Sequence, residues 1–252
     1  MPETLFRVEG LGKRFPDGTE ALAAVDLEIR EGELLVIAGS NGSGKTLLMR
    51  ILVGLAQPSK GRVLFRNLPV ADDPVRVRKA VGLVFQDADA QIVGETVGED
   101  VAFGPRNLKL PKPEIERRVV EALSLVRLEA KRNAPPRRLS GGEKRRLAVA
   151  GVLAMGCEAL ILDEPFANLD WPGVVQVLKA VEALAASGKT VVILTHELEK
   201  TLALADRLVI LDKGSIRDDG KPEEVLSRGI ERFGVRDPRR SYIDVKACSW
   251  LG

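Results

Sequence analysis

The run Gly39-Ser40-Asn41-Gly42-Ser43-Gly44-Lys45-Thr46 holds the residue types that grip phosphate. Two glycines separated by four residues precede a lysine and a hydroxyl, the G-x-x-x-x-G-K-[ST] pattern of a phosphate loop. The glycines let successive backbone N–H groups curl around phosphate oxygens. Lys45 reaches the β and γ phosphates, and Thr46 offers its hydroxyl to Mg2+.

Further along, the apolar run Ala159-Leu160-Ile161-Leu162 ends in Asp163-Glu164. Side chains alternate along a strand, so adjacent acids at its end can do different work. Asp163 suits a water-mediated role on the metal, and Glu164 suits polarisation of an attacking water. His196, the one histidine of the chain, follows Val191-Val192-Ile193-Leu194-Thr195. That position is the carboxyl end of a buried strand, where ligands bind in open α/β sheets. Gln86 ends Val81-Gly82-Leu83-Val84-Phe85 in the same way, ahead of the acidic loop Asp87-Ala88-Asp89-Ala90-Gln91. A glutamine carbonyl there can ligate Mg2+ or orient water.

Ser140-Gly141-Gly142 reads as the start of a helix. Free N–H groups, the Ser140 hydroxyl and the positive helix end together make an anion site. Ser140 and Glu143 also form a capping box. Capping alone explains the serine and the acid but not two glycines, which cost helix stability unless backbone must approach something closely. Glu143 beside a triphosphate would repel it unless turned away or paired, and Lys144, Arg145 and Arg146 are its nearest candidate partners in sequence.

The elements that must position these groups follow from pattern. Alternation predicts strands at 5–8 and 27–30, with a turn at Pro16-Asp17-Gly18-Thr19. Continuous apolar runs at 34–38, 160–162, 190–194 and 208–211 read as buried parallel strands, with further strands at 62–65 and 81–85. Helices are expected at 47–55, 111–126 with proline and acid at its start, 143–155 and 174–186, and a short one at 222–228. Strands alternating with helices predict an α/β fold with a right-handed parallel sheet. Residues 87–155 form a helical insertion in that frame.

A chain of 252 residues can bury its own core, and 45% hydrophobic with 29% charged residues is ordinary globular usage. A net charge of +2 gives no electrostatic footprint for nucleic acid or for an anionic membrane. The longest apolar stretch, near 147–156, is too short to span a bilayer. Met1-Pro2-Glu3-Thr4 lacks the basic and apolar regions of a signal peptide. Cys157 and Cys248 have no metal-ligand spacing and read as free thiols in a reduced, cytosolic setting.

Taken in order, the phosphate loop, Gln86, Leu139-Ser140-Gly141-Gly142-Glu143, Leu162-Asp163-Glu164-Pro165, Ala167-Asn168-Leu169-Asp170 and Thr195-His196 resemble the ATP-binding subunit of ABC transporters. The likeness covers residues 3–220, with 221–252 as a short C-terminal extension. It implies a P-loop NTPase of the ABC ATPase fold: an N-terminal antiparallel β subdomain, a parallel-sheet core and an inserted helical subdomain. It implies a head-to-tail dimer with a second ATPase subunit, identical or paralogous. Each ATP would lie between one chain's phosphate loop and the other's Ser140–Gly142 turn. Carried over, Ser140, Gly141, Gly142 and Glu143 would serve the partner's nucleotide, and Asp170 would sit in the loop linking the two sites. Glu164 would be the catalytic carboxylate, His196 the γ-phosphate switch, and Phe15 the aromatic that stacks on adenine. Thr46, Gln86 and Asp163 would serve Mg2+.

Residues 85–91, 99–105 and 163–170 resemble the cobalt and energy-coupling-factor branch, although Ala88 replaces a proline often found there. The family signature usually ends in glutamine, and Glu143 departs from it. The resemblance implies a peripheral ATPase subunit of an importer at the cytoplasmic face, with a membrane subunit docking near residues 86–105. A soluble ABC-type ATPase working on nucleic acid or ribosomes is the alternative. Such proteins usually carry two cassettes or a coiled-coil insertion, and neither is legible here. A module that binds ATP without turnover is a third reading, opposed by intact Glu164 and His196.

Overall fold

The computed structural model describes residues 3–239. Met1, Pro2, the thiol of Cys248 and the distal part of the C-terminal extension lie outside the described residues.

Strands β1 (Thr4–Arg14) and β2 (Glu20–Arg30) form a hairpin, longer than the predicted segments because both strands bend through register shifts. β3 (Leu34–Ala38) is buried along its whole length. Helix α1 (Lys45–Leu52) starts two residues before the predicted 47 and stops short of 55, where Gly54 turns the chain at φ +69°. β4 (Lys60–Phe65) and β5 (Leu68–Pro69) complete an antiparallel sheet of order β2-β1-β4-β5.

Helix α2 (Pro74–Ala80), absent from the sequence expectations, is capped by the Asp73 carboxylate accepting from Arg76 N–H and has proline at its start. β6 (Val81–Val84) then leads into the helical insertion. There α3 (Val97–Asn107), α4 (Lys112–Leu125) and α5 (Gly141–Met155) pack on one another. β7 (Ala159–Asp163), α6 (Trp171–Ala186), β8 (Thr190–Thr195) and β9 (Arg207–Asp212) return to the frame, followed by β10 (Ser215–Gly220) and α7 (Pro222–Ser227).

The second sheet has the order β10-β9-β3-β8-β7-β6 and is parallel except for the edge strand β10. Both faces are covered, which is why its strands are continuously apolar. Leu34, Val36, Ile193 and Leu162 face the helices α5 and α6, whereas Leu35, Ile37, Val192 and Ile161 face α1 and the antiparallel sheet. Val225, Leu226, Ile230 and Val235 also enter the first of these cores, so the early C-terminal extension packs into the molecule. Among the described residues no helix is long and apolar enough to cross a membrane.

Candidate active site

β3, β8, β7 and β6 are neighbours, and their carboxyl ends finish nearly level. Ala38 pairs with Thr195, Leu194 with Asp163, and Leu162 with Val84. The residues that leave these strands, Gly39, His196, Glu164 and Gln86, therefore emerge at one edge of the sheet.

The loop after β3 has its shape only with glycine at key points. A β-carbon on Gly39 would lie 2.2 Å from the Leu211 carbonyl oxygen and 2.5 Å from Ser43 Oγ. Gly44 adopts φ +106° immediately before α1, where a β-carbon would lie 2.8 Å from Leu22 Cδ2. Lys45 turns its ammonium back over the loop, donating to the Gly39 carbonyl at 2.6 Å and the Ser40 carbonyl at 3.2 Å. Burial pulls the Lys45 pKa below its ordinary value, and the carboxylates of Glu164 and Asp163 oppose that pull. Ser43 Oγ is buried with no hydrogen-bond partner among the described residues.

Asp163 Oδ2 accepts the Thr46 hydroxyl at 2.7 Å. Its other oxygen, Oδ1, is buried with no hydrogen-bond partner among the described residues, and burial raises the carboxyl pKa above its ordinary value. A buried carboxylate oxygen with no donor, beside a threonine hydroxyl and close to Gln86, is a set of hard oxygen donors that fits Mg2+. Glu164 adopts φ +47°, unusual for a non-glycine residue. Its N–H donates to the Leu194 carbonyl at 2.9 Å. Its Oε2 accepts the Thr195 hydroxyl at 3.0 Å, and its Oε1 lies 2.8 Å from His196 Nδ1 and 3.9 Å from Lys45 Nζ. The carboxylate is thus buried and aimed by two residues of β8 and the turn after it.

These groups border a cleft of about 450 Å3 lined by the loop from Asn41 to Thr46, by Gln86, Asp163 and Glu164, and by Phe15. Phe15 is not a core aromatic: it is 41% exposed at the cleft. The volume lies in the range of small-molecule sites.

Ser140, Gly141, Gly142, Glu143 and Asp170 do not line this cleft. Ser140 caps α5: its hydroxyl accepts the Glu143 N–H at 3.2 Å, and Glu143 Oε2 accepts the Ser140 N–H at 2.9 Å. Glu143 Oε1 pairs with Lys131, whose ammonium holds the carboxyl below its ordinary pKa. The expected partners are therefore corrected. Lys144 pairs with Asp89 at 2.6 Å, Arg145 is buried elsewhere, and Arg146 acts on Glu143 only through space. Among the described residues beyond its own stretch of helix, nothing lies within 4 Å of a β-carbon built on Gly141, whereas one on Gly142 would meet Leu169 Cδ2 at 3.2 Å. Asp170 caps α6, accepting the Gly173 N–H at 2.9 Å.

Lys131 and Gln91 were not assigned roles from the sequence, and Arg145 was expected only as a candidate partner of Glu143. The Gln91 side chain accepts from Phe85 N–H at 3.1 Å and donates to the Leu83 carbonyl at 2.8 Å, pinning the end of β6. No local pattern marks such long-range partners.

A family model described as ABC transporter matches residues 22–167. The energy-coupling factor transporter ATP-binding protein EcfA of Methanocaldococcus jannaschii is 43% identical over 91% of this chain and 84% of its own length. Among solved structures, cbiO1 from Clostridium perfringens, part of the ABC transporter complex cbiONQ, superposes with a TM-score of 0.81 at 37% identity, covering 94% of this chain and 97% of that one. The dimeric ATP-binding cassette MJ0796, in a post-hydrolysis state bound to ADP and Pi, superposes with a TM-score of 0.79 at 29% identity, covering 86% of this chain and 98% of that one.

Proposed function

This chain belongs to the ABC transporter family, and from that premise we propose that it is the ATP-hydrolysing subunit of an energy-coupling-factor or cobalt-type importer. It works as a head-to-tail dimer on the cytoplasmic face of a membrane complex. The observation that carries the reading is the setting of Glu164, buried beside the lysine of a phosphate loop with its carboxylate held by Thr195 and His196.

The adenine of ATP stacks on Phe15, and the phosphates lie on the N–H groups from Asn41 to Thr46. Lys45 exchanges its bonds with the Gly39 and Ser40 carbonyls for the β and γ phosphates, where desolvation strengthens its charge interaction. Thr46, Gln86 and, through water, Asp163 would hold Mg2+, which supplies Lewis-acid charge on the phosphate oxygens. Glu164 accepts a proton from the water that attacks the γ-phosphorus. The bond to the β-phosphate oxygen breaks, and ADP and inorganic phosphate leave. His196 senses the γ-phosphate while orienting Glu164.

One cleft contains the phosphate loop, Asp163 and Glu164 but none of Ser140, Gly141, Gly142 and Asp170. This supports a site completed by another subunit, as does the dimeric relative. In this reading residues 86–105 dock the membrane subunit, and residues 3–220 act as the ATPase domain.

Glu164→Gln in the complex purified with its membrane partners is the test. Turnover should fall about 100-fold or more while Mg-ATP still drives dimerisation. Full turnover by this variant would remove Glu164 from the catalytic role, and a monomer in Mg-ATP would remove the shared site.

A further inference from the structure

Arg145 is 5% exposed, unusual for an arginine on a helix that begins at the surface. It forms no pair with Glu143, the acid nearest its own helix start. Its guanidinium reaches inward, and one nitrogen, Nη1, donates to the Glu164 carbonyl at 3.1 Å and to the Phe85 carbonyl at 3.3 Å. These carbonyls lie at the ends of β7 and β6, immediately before Pro165 and Gln86. Burial pulls the guanidinium pKa below its ordinary value, and the carboxylates of Asp163, Asp87 and Glu164 oppose that pull.

Glu164 needs such a partner. Its backbone sits at φ +47°, a conformation that is strained for a non-glycine residue and persists only where surrounding contacts over-determine it. Two contacts fix the peptide groups on either side. The Glu164 N–H is tied to the Leu194 carbonyl at 2.9 Å, and the Glu164 carbonyl is tied to Arg145. Rotation about this backbone would swing the carboxylate away from Thr195 and His196.

We propose that Arg145 is a positioning residue for ATP hydrolysis, holding the Glu164 backbone so that its carboxylate stays aimed at the attacking water. The inference rests on the reading of Glu164 as the base. It adds that the base is set by a side chain from α5, whose first turn carries Ser140 and Gly141. Movement of that turn therefore reaches Glu164 through one guanidinium. A misplacement of about 1 Å at a reacting group can cost 100-fold in rate, so loss of this clamp should appear in kcat.

Arg145→Gln and Arg145→Lys in the purified complex test this, with kcat, KM and the Kd for ATP measured for each. The expected result for Arg145→Gln is a kcat lower by about 10- to 100-fold with Kd changed less than about threefold, and partial recovery in Arg145→Lys. Added to Glu164→Gln, Arg145→Gln should slow single-turnover hydrolysis no further, because both act on one group. Unchanged kcat in a folded Arg145→Gln protein, an equal loss in kcat and ATP affinity, or additive losses with Glu164→Gln would each overturn the assignment. If Arg145→Gln does not fold, Arg145→Lys carries the same criterion of a kcat loss at constant Kd. Retained turnover in Glu164→Gln alone overturns the base reading instead. An inactive Glu164→Gln beside a fully active Arg145→Gln overturns only the role of Arg145.

Discussion

Lys131 pairs with Glu143 across the start of α5, while the second Glu143 oxygen accepts the Ser140 N–H at 2.9 Å. The acid that replaces the usual glutamine is thus occupied on both oxygens, once as a cap and once as a neutralised charge. Because its folded-state pKa is depressed, its contribution to stability is present above the unfolded-state value of 4.5 and is lost as pH falls through the folded value.

If the partner's nucleotide approaches this turn, as proposed, removing the lysine should expose that charge to it. Lys131→Met is expected to raise the KM for ATP about 3- to 10-fold in the assembled enzyme, roughly the worth of one partly exposed ion pair. Glu143→Gln keeps the cap and should leave KM within about twofold. The double variant should return to the KM of Glu143→Gln. Steady-state kinetics on the four proteins decides it, and a Lys131→Met effect that survives in the double variant would sink the charge argument.

Much of this site was legible in the sequence because strand periodicity is short-range. Runs such as 34–38 and 159–162 announce parallel strands, and groups that follow parallel strands must gather at one sheet edge. Helices α2 and α3 carried readable starts, Asp73-Pro74 and Thr96 with Glu99, but their apolar faces are short, and Gly98, Gly104 and Pro105 interrupt α3. Partners of charged residues were not legible. On a helix, residues one and two positions apart point to different faces, so Lys144 and Arg145 turn away from Glu143 toward Asp89 and Glu164. Only the packed insertion places Lys131 there.

Burial makes the charge of Asp163 costly, and a bound metal ion would offset that cost. Its carboxyl is 1% exposed and its pKa is raised by burial. The folded state therefore holds the proton more tightly than the unfolded one, and stability falls as pH rises from 3.8 through the folded value. Asp163→Asn retains an oxygen for the Thr46 hydroxyl and removes the charge. Without nucleotide it should be more stable by about 1 kcal/mol, seen as roughly 2–4 °C in Tm. The extra thermal shift that Mg2+ adds to ATP should shrink, since Thr46 and Gln86 remain. A lower Tm in the variant would contradict the desolvation account.

Cys157 provides a pH signature away from the site. The thiol is buried, and desolvation pushes its pKa from 9.0 up to about 11. Above pH 9 the unfolded thiol ionises first, so stability should be lost as pH rises through the interval to about 11, by ~2–3 kcal/mol in full. Urea titrations of the wild type and Cys157→Ala between pH 8 and 10.5 measure it: the difference between the two should narrow as pH rises. In a Cys248→Ser background, the folded protein should react with iodoacetamide far more slowly at pH 8 than the unfolded chain.

Gly141 separates what one chain needs from what a dimer needs. It is the first residue of α5, and beyond its chain neighbours and the adjacent helix backbone no described residue lies within 4 Å of where a β-carbon would stand. Alanine is the better helix former by up to about 1 kcal/mol in a helix interior and by less at a first turn. Gly141→Ala should therefore leave the isolated chain as stable as wild type or slightly more so, by about 0.5 kcal/mol. If the partner's nucleotide approaches the N–H groups of this turn, the same methyl stands in its path. ATP-driven dimerisation measured by sedimentation in the Glu164→Gln background should then weaken about tenfold or more, while ATP binding to the monomer stays unchanged. Gly142→Ala is the companion variant: its β-carbon would meet Leu169 Cδ2 at 3.2 Å, so the Leu169 side chain must yield by a few tenths of an ångström to admit it. Dimerisation of Gly141→Ala at wild-type strength would show that the glycine answers to neither the chain nor its partner.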